Sequence, residues 1–334
     1  MSWACARSFV ARRHAQGDGD RRRFPKRALR STVPILLLAS AGLRASWNLS
    51  ADADLRYRLS DWRDHGGGVH VLGASVRKTF SDSKGDRVTM FGLVEAHDNF
   101  SEIMPHELYA RYKGPLGSWN VTVGRFGLPY GLLTGFSASR LLYDMPHHAL
   151  LGFDVDNGVM LSGVVGMWEY AAAVTQGYGP HHVPGFPGHG LGTARLGATL
   201  GDAGDVMLGV SGAYGWTAHA HERDMASERA VGGVDATVYL GRLLCRVELN
   251  GGAVDRRLTA TAFAGFDFAL LPRLDVNVAV TGIYRADNPE DAWFAGVTYK
   301  TRWFTVRGGY RYAWYTEPHH QVALQLYRLF SFNF

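Results

Sequence analysis

Cysteine is almost missing from this chain: of 334 residues only Cys5 and Cys245 carry a thiol. With Cys5 in a removable leader, no internal disulfide is possible, and no C-x-x-C-H occurs for covalent haem. Long hydrophobic runs are missing too. No segment beyond the leader approaches the ~18 consecutive apolar residues that read as a membrane-spanning helix. Catalytic signatures are also lacking: G-x-S-x-G, H-E-x-x-H and the phosphate-binding P-loop do not occur. These absences exclude a disulfide-stapled module and a helical membrane protein. They point away from an enzyme, and no cofactor is expected.

The first 45 residues read as a cleaved signal peptide. Arg21, Arg22, Arg23, Lys26, Arg27 and Arg30 form a basic region ahead of the apolar stretch Val33-Pro-Ile-Leu-Leu-Leu38. Ala39-Ser40-Ala41 is an A-x-A-like cleavage site, with Ala45 or Ser46 as later options. Of the 35 basic and 30 acidic side chains, ten and two lie in this segment, so residues 46–334 are net negative by three. The basic character belongs to the leader, and a nucleic-acid partner loses its main support.

What is present is alternation. Trp47, Leu49, Ala51, Ala53, Leu55, Tyr57 and Leu59 share one parity, against Asn48, Ser50, Asp52, Asp54, Arg56 and Arg58. The same period recurs to the end of the chain, where Val322, Leu324, Leu326, Phe330, Phe332 and Phe334 share a face interrupted only by Arg328. Sixteen strands are expected, over 47–59, 69–80, 88–97, 106–113, 119–127, 157–166, 168–176, 192–200, 205–217, 229–240, 242–250, 257–270, 273–285, 292–300, 303–314 and 320–334. Many reach about 10 residues, longer than the soluble norm and suited to a tilted membrane crossing. Short turns follow the even strands and mostly longer loops follow the odd ones, the longest being 128–156. Tryptophans 47, 119, 168, 216, 293, 303 and 314 sit near strand ends, as in interfacial aromatic girdles. The fold class is all-β: a transmembrane antiparallel β-barrel of about 16 strands over residues 46–334, in the Gram-negative outer membrane.

Val123-Gly-Arg-Phe-Gly-Leu-Pro-Tyr-Gly131, a long loop, and then Asp156-Asn-Gly-Val-Met-Leu-Ser-Gly163 carry a family resemblance. The stretch resembles bacterial porins, closest in flavour to the phosphate-selective type. The resemblance implies a third external loop folded into the lumen and a Gly-Arg strand end at the pore wall. It also implies a homotrimer passing small hydrophilic solutes or ions by passive diffusion, in contact with outer-membrane lipid and lipopolysaccharide. The apolar content of the loop (Leu132, Leu133, Phe136, Leu141, Leu142 and others) independently suits packing against an inner wall. Strict alternation would turn Arg125 to lipid, so a bulge at Gly124 or Gly127 is expected.

Inward parity gives a mixed wall. The candidate pore and constriction residues are Arg56, Arg58, Glu107, Arg111, Arg125, Arg140, Asp144, Asp154, Arg195, Arg246, Arg307 and Arg311. The full inward set, nine basic (Arg56, Arg58, Arg111, Lys113, Arg195, Arg242, Arg246, Arg307, Arg311) against eight acidic (Asp52, Asp54, Glu95, Glu107, Asp235, Glu248, Asp267, Asp275), is nearly balanced, which predicts weak selectivity. Three Pro-His-His triplets supply weak metal-ligand candidates, His147, His148, His181, His182, His319 and His320. No Cys/His spacing matches a structural zinc site. Two alternatives stay open: a barrel sheath around a partner cytochrome in an electron conduit, and an outer-membrane hydrolase.

Overall fold

A computed structural model describes residues 44–61, 66–132, 151–179, 189–201, 203–218, 226–285, 290–314 and 317–334. Sixteen strands are present: β1 (Arg44–Ser60), β2 (Gly66–Asp82), β3 (Gly85–His97), β4 (Glu102–Lys113), β5 (Asn120–Gly127), β6 (Val155–Val165), β7 (Trp168–Thr175), β8 (Leu191–Leu200), β9 (Val206–Ala218), β10 (Ala226–Leu240), β11 (Leu243–Val254), β12 (Arg257–Leu271), β13 (Leu274–Arg285), β14 (Glu290–Lys300), β15 (Thr305–Trp314) and β16 (Pro318–Asn333). Each expected segment is a strand. β1 begins at Arg44, which pairs with Ser81, so the first strand starts two residues before the expected start of the barrel at residue 46.

Every strand pairs antiparallel with its sequence neighbours, and β16 closes on β1 from Asn48↔Asn333 to Ser60↔Gln321. Closure leaves no unpaired edge, which a sheet in lipid requires. Both strand termini lie at one end of the barrel. At that terminal end the links are short, such as 83–84, 166–167 and 241–242; the opposite, loop end carries 128–154 and 176–190. One loop-end link is tighter than the sequence suggests. β11 runs on through Gly251 and Gly252 to Val254, and Asp255-Arg256 (φ 49° and 64°) closes a two-residue hairpin. Gly251 and Gly252, beyond the expected strand end at Asn250, are paired with Gly232 and Val231 inside the ladder.

The faces are inverted relative to a soluble protein. Leu324, Phe332, Val174 and Leu258 stand exposed on the outside, while Asp54, Thr122 and Gln325 are fully buried inside. An apolar belt that wraps a whole barrel is the surface of a membrane-spanning protein. All seven girdle tryptophans are exposed, so none is a core residue. Trp47, Trp119, Trp168 and Trp303 mark the terminal end, and Trp216, Trp293 and Trp314 the loop end. Arg328, which interrupts the apolar face of β16, donates through Nη1 to the carbonyls of Arg302 and Trp303 in the β14–β15 turn, between the Trp303 and Phe330 rings. Its charge is thereby carried to the interface rather than left in hydrocarbon.

Candidate functional site

The longest link, 128–154, begins and ends inside the barrel. The alternation of β5 buries Thr122 and Phe126, and the inward course continues as Leu128 and Tyr130. On the return, Leu151, Phe153 and Val155 are also fully buried. Leu128, Tyr130, Leu151 and Phe153 form one cluster with Leu191, Ala213, Val231 and Val254 from the inner faces of β8–β11. The Tyr130 and Phe153 rings sit 4.7 Å apart.

Polar contacts fix both ends of this link. Tyr130 Oη donates to Asn250 Oδ1 (3.0 Å), Gly131 N to Ser211 Oγ (2.9 Å) and Leu132 N to Glu248 Oε2 (2.8 Å). On the returning side Arg229, with 0% exposure, donates through Nε to the Leu151 carbonyl at 3.0 Å. The two ends also meet each other, Leu128 N donating to Asp154 O at 2.9 Å. Gly131 takes φ +53°, and a Cβ there would lie 2.6 Å from Glu248 Oε2, so the close approach demands glycine. Burial pushes the Tyr130 phenol above its usual range, which keeps its proton on the bond to Asn250. Sequence reasoning missed Tyr130, Ser211, Arg229 and Asn250 as a group. Only the inward parity of Glu248 was a signal.

A second feature lies on β3 and β4. The register steps from Leu93↔Glu107 to Val94↔Pro105, which leaves His106 as an extra residue in β4. This bulge turns both His106 and Glu107 inward. His97 Nε2 is 3.1 Å from Glu95 Oε2, and His106 Nε2 lies 3.8 Å from Glu95 and 3.7 Å from Asp154. Three carboxylates and two imidazoles therefore gather beside the returning end of the link.

The bulge expected in β5 is not there. The ladders of β5 with β4 and β6 run unbroken, so Arg125 keeps outward parity opposite Leu108. Its Nε donates to His106 O (3.0 Å) and its Nη1 to Gly179 O (3.3 Å). The irregularity lies in the partner strand, and Arg125 ties the loop-end backbone together.

The other candidates divide. Arg56 pairs with Asp54 at 2.8 Å, and Arg195 bridges Glu169 and Asp235. Arg246 pairs with Asp267, Arg111 Nε donates to Thr122 Oγ1 (3.0 Å) and Arg307 Nη1 to Gln325 Oε1 (2.9 Å). These are wall contacts. Arg58 faces inward without an ion pair or hydrogen bond to a described residue. Arg311 is half-buried on the inner face of β15. Arg140, Asp144, His147, His148, His181 and His182 lie outside the described residues. His319 and His320 alternate across β16: His319 turns in towards Asp61 (3.9 Å), and His320 turns out to Tyr310 Oη (2.5 Å). Two imidazoles on opposite faces cannot chelate one ion together. Among the described residues, no group of three or more His, Cys, Asp or Glu is placed to hold a metal.

No protein-family model matches the sequence, and no curated protein matches it. Solved structures share the fold. The outer-membrane expressed OmpT of Vibrio cholerae is 13% identical with a TM-score of 0.65, over 88% of this chain and 99% of that one. The anion-selective porin from Comamonas acidovorans is 12% identical with a TM-score of 0.67, over 86% and 100%. OmpF of Salmonella typhi, in complex with daunomycin, is 11% identical with a TM-score of 0.62, over 86% and 98%. The chain therefore has the sixteen-stranded fold of outer-membrane β-barrels.

Proposed function

We propose that this barrel is an outer-membrane channel that lets small hydrophilic solutes or ions diffuse through a wet, weakly selective lumen, with no bond chemistry. One observation carries the reading: both described ends of the longest link, at Leu132 and Leu151, are anchored on the inner wall of the barrel. Such a link narrows a lumen without belonging to the sheet that closes it. The charged inner wall and the porin-like neighbours agree with this reading. The terminal end is the periplasmic end, since short turns belong there. Cleavage of the leader after Ala41 leaves β1 whole. A trimer is part of the reading; one OmpT structure is of a trimer form.

The test is planar-bilayer recording of the mature barrel and of a variant lacking residues 133–150. The wild type gives ohmic steps, and the deletion raises their size while heat-modifiable migration shows an intact barrel. A folded barrel that never conducts sinks the channel. Unchanged steps in the deletion place the segment outside the pore. Covalent labelling of a rim serine by an active-site reagent would replace this reading with the hydrolase.

A further inference from the structure

On the outer face of the terminal end, Arg328 of β16 stands beside the β14–β15 turn, residues 301–304. Its guanidinium carbon lies 5.6 Å from the centroid of the Trp303 ring, and that of Arg302 lies 5.0 Å from the same centroid. Two cations therefore share one indole. The turn that presents them is locked. Thr301 Oγ1 accepts from Trp303 N (3.1 Å) and Phe304 N (2.9 Å) and donates to Phe304 O (2.7 Å). Thr301 N donates to that same carbonyl at 2.9 Å.

No acid answers these charges. Neither guanidinium has an ion pair with a described residue. Arg302 is exposed, and its side chain makes no hydrogen bond to a described residue. Arg328 spends Nη1 on the Arg302 and Trp303 carbonyls, and its Nε is buried without a partner. An anion therefore reaches it through Nη2. The surroundings are apolar: Phe304, Leu326 and Phe330 stand exposed on the same outward face. Leu326 lies one outward step nearer the membrane centre than Arg328, opposite Val306. Other outward residues at this end, such as Tyr112, Leu240 and Tyr299, offer a second copy of the chain no carboxylate. On a lipid-facing surface at headgroup depth, the anion to hand is a lipid phosphate.

We propose that Arg302, Arg328 and Trp303 form a headgroup site for an anionic phospholipid in the leaflet at the terminal end. The two guanidiniums bind the phosphate diester, and the acyl chains run along Phe304, Phe330 and Leu326. The site also explains how a lipid-facing strand carries Arg328 at all: the lipid supplies the counter-charge that the protein does not. Only the name of the leaflet, the periplasmic one, rests on the orientation given above, and the site requires no ion flow.

The test uses the mature barrel in non-ionic detergent, titrated with phosphatidylglycerol or with phosphatidylcholine of equal chain length and read by native mass spectrometry. The wild type binds phosphatidylglycerol on the order of tenfold or more tighter, with about fivefold from each guanidinium. Arg302→Gln lowers that preference about fivefold and leaves the turn intact, because the side chain bonds to nothing in it. Adding Arg328→Gln abolishes the preference. Lys84→Gln, which removes an exposed cation of the β2–β3 turn that touches no ring, leaves it unchanged. Equal affinity for the two lipids in the wild type, or an undiminished preference in folded Arg302→Gln, overturns the proposal. Displacement of the lipid by equimolar inorganic phosphate also overturns it, since the site would then serve a free anion. An oligomer that Arg302→Gln dissolves with lipid preference unchanged overturns it too, and makes this face a contact between copies. A barrel that prefers phosphatidylglycerol yet never conducts fails only the channel reading.

Discussion

The inner wall has two arcs built on the same alternation and used in opposite ways. Along β8–β11, small inward residues such as Ala213, Val231 and Val254 leave room, and the ends of the 128–154 link fill it with Tyr130, Leu151 and Phe153. Each buried polar group named there meets the link: Ser211, Glu248 and Arg229 bind its backbone, and Asn250 its phenol. Along β15, β1 and β2 the inward face carries Arg307, Arg311, Arg58 and Arg77 among smaller residues, and no described part of that link covers Arg58 or Arg77. One arc packs like the core of a soluble protein; on the other, Asp54, Arg56 and Gln325 are buried in wall contacts while Arg58 and Arg77 stay accessible. The contrast shows that an in-out strand pattern fixes which side chains face the lumen, and that contact with the link decides which of them are covered.

The largest effect should come from breaking the packed arc. Tyr130→Ala removes a fully buried ring and its bond to Asn250, at a cost of about 3–5 kcal/mol in anchorage of the link. Proteolysis within 133–150 should accelerate and single-channel conductance should rise, while the heat-modifiable barrel persists. The raised phenol pKa gives the same site a pH signature. Anchorage is complete below about pH 10, the ordinary tyrosine value, and is lost as pH climbs through the higher folded value, so wild-type proteolysis at this link should quicken only in strong alkali. Gly131→Ala should act in the same direction but less, by about 1–3 kcal/mol, because it forces a left-handed residue against Glu248. A Gly131→Ala barrel with wild-type conductance and protease resistance would show that the close approach does not matter.

The open arc, and the acid–imidazole group on β3 and β4, should respond in selectivity and not in stability. Arg58→Ala should move the reversal potential in a salt gradient towards cations, and Glu95→Gln, in the acid–imidazole group, towards anions. Both shifts are the smallest effects expected. Each should shrink between 0.1 M and 1 M salt, as the screening length falls from about 10 Å to about 3 Å. Shifts of the same sign, or shifts indifferent to salt, would remove these residues from the permeation path.

The strands were legible because each carries the two-residue period over enough length to outweigh local exceptions, from Trp47 to Leu59 and from Val322 to Phe334. The inward-facing arginines followed from parity alone. Parity fails where register slips: the extra residue at His106 belongs to a partner strand, and nothing in the sequence near Arg125 reports it. The end of β11 was not legible at Gly251 and Gly252, since glycine serves a turn and a tight ladder alike. The anchoring of the long link was hidden because Tyr130 and Asn250 stand 120 residues apart, and only closure of the barrel brings them into contact.

The contrast between the two arcs is tested most directly by cysteine labelling during bilayer recording, on a background in which Cys245 is replaced by Ser. A charged methanethiosulfonate reagent is added to the aqueous bath over Arg58→Cys and over Ser211→Cys. The account predicts stepwise loss of current for Arg58→Cys and no response for Ser211→Cys, because Ser211 lies under the anchored link. Modification of Ser211→Cys at the rate of Arg58→Cys, or silence at both positions in a conducting barrel, would contradict it.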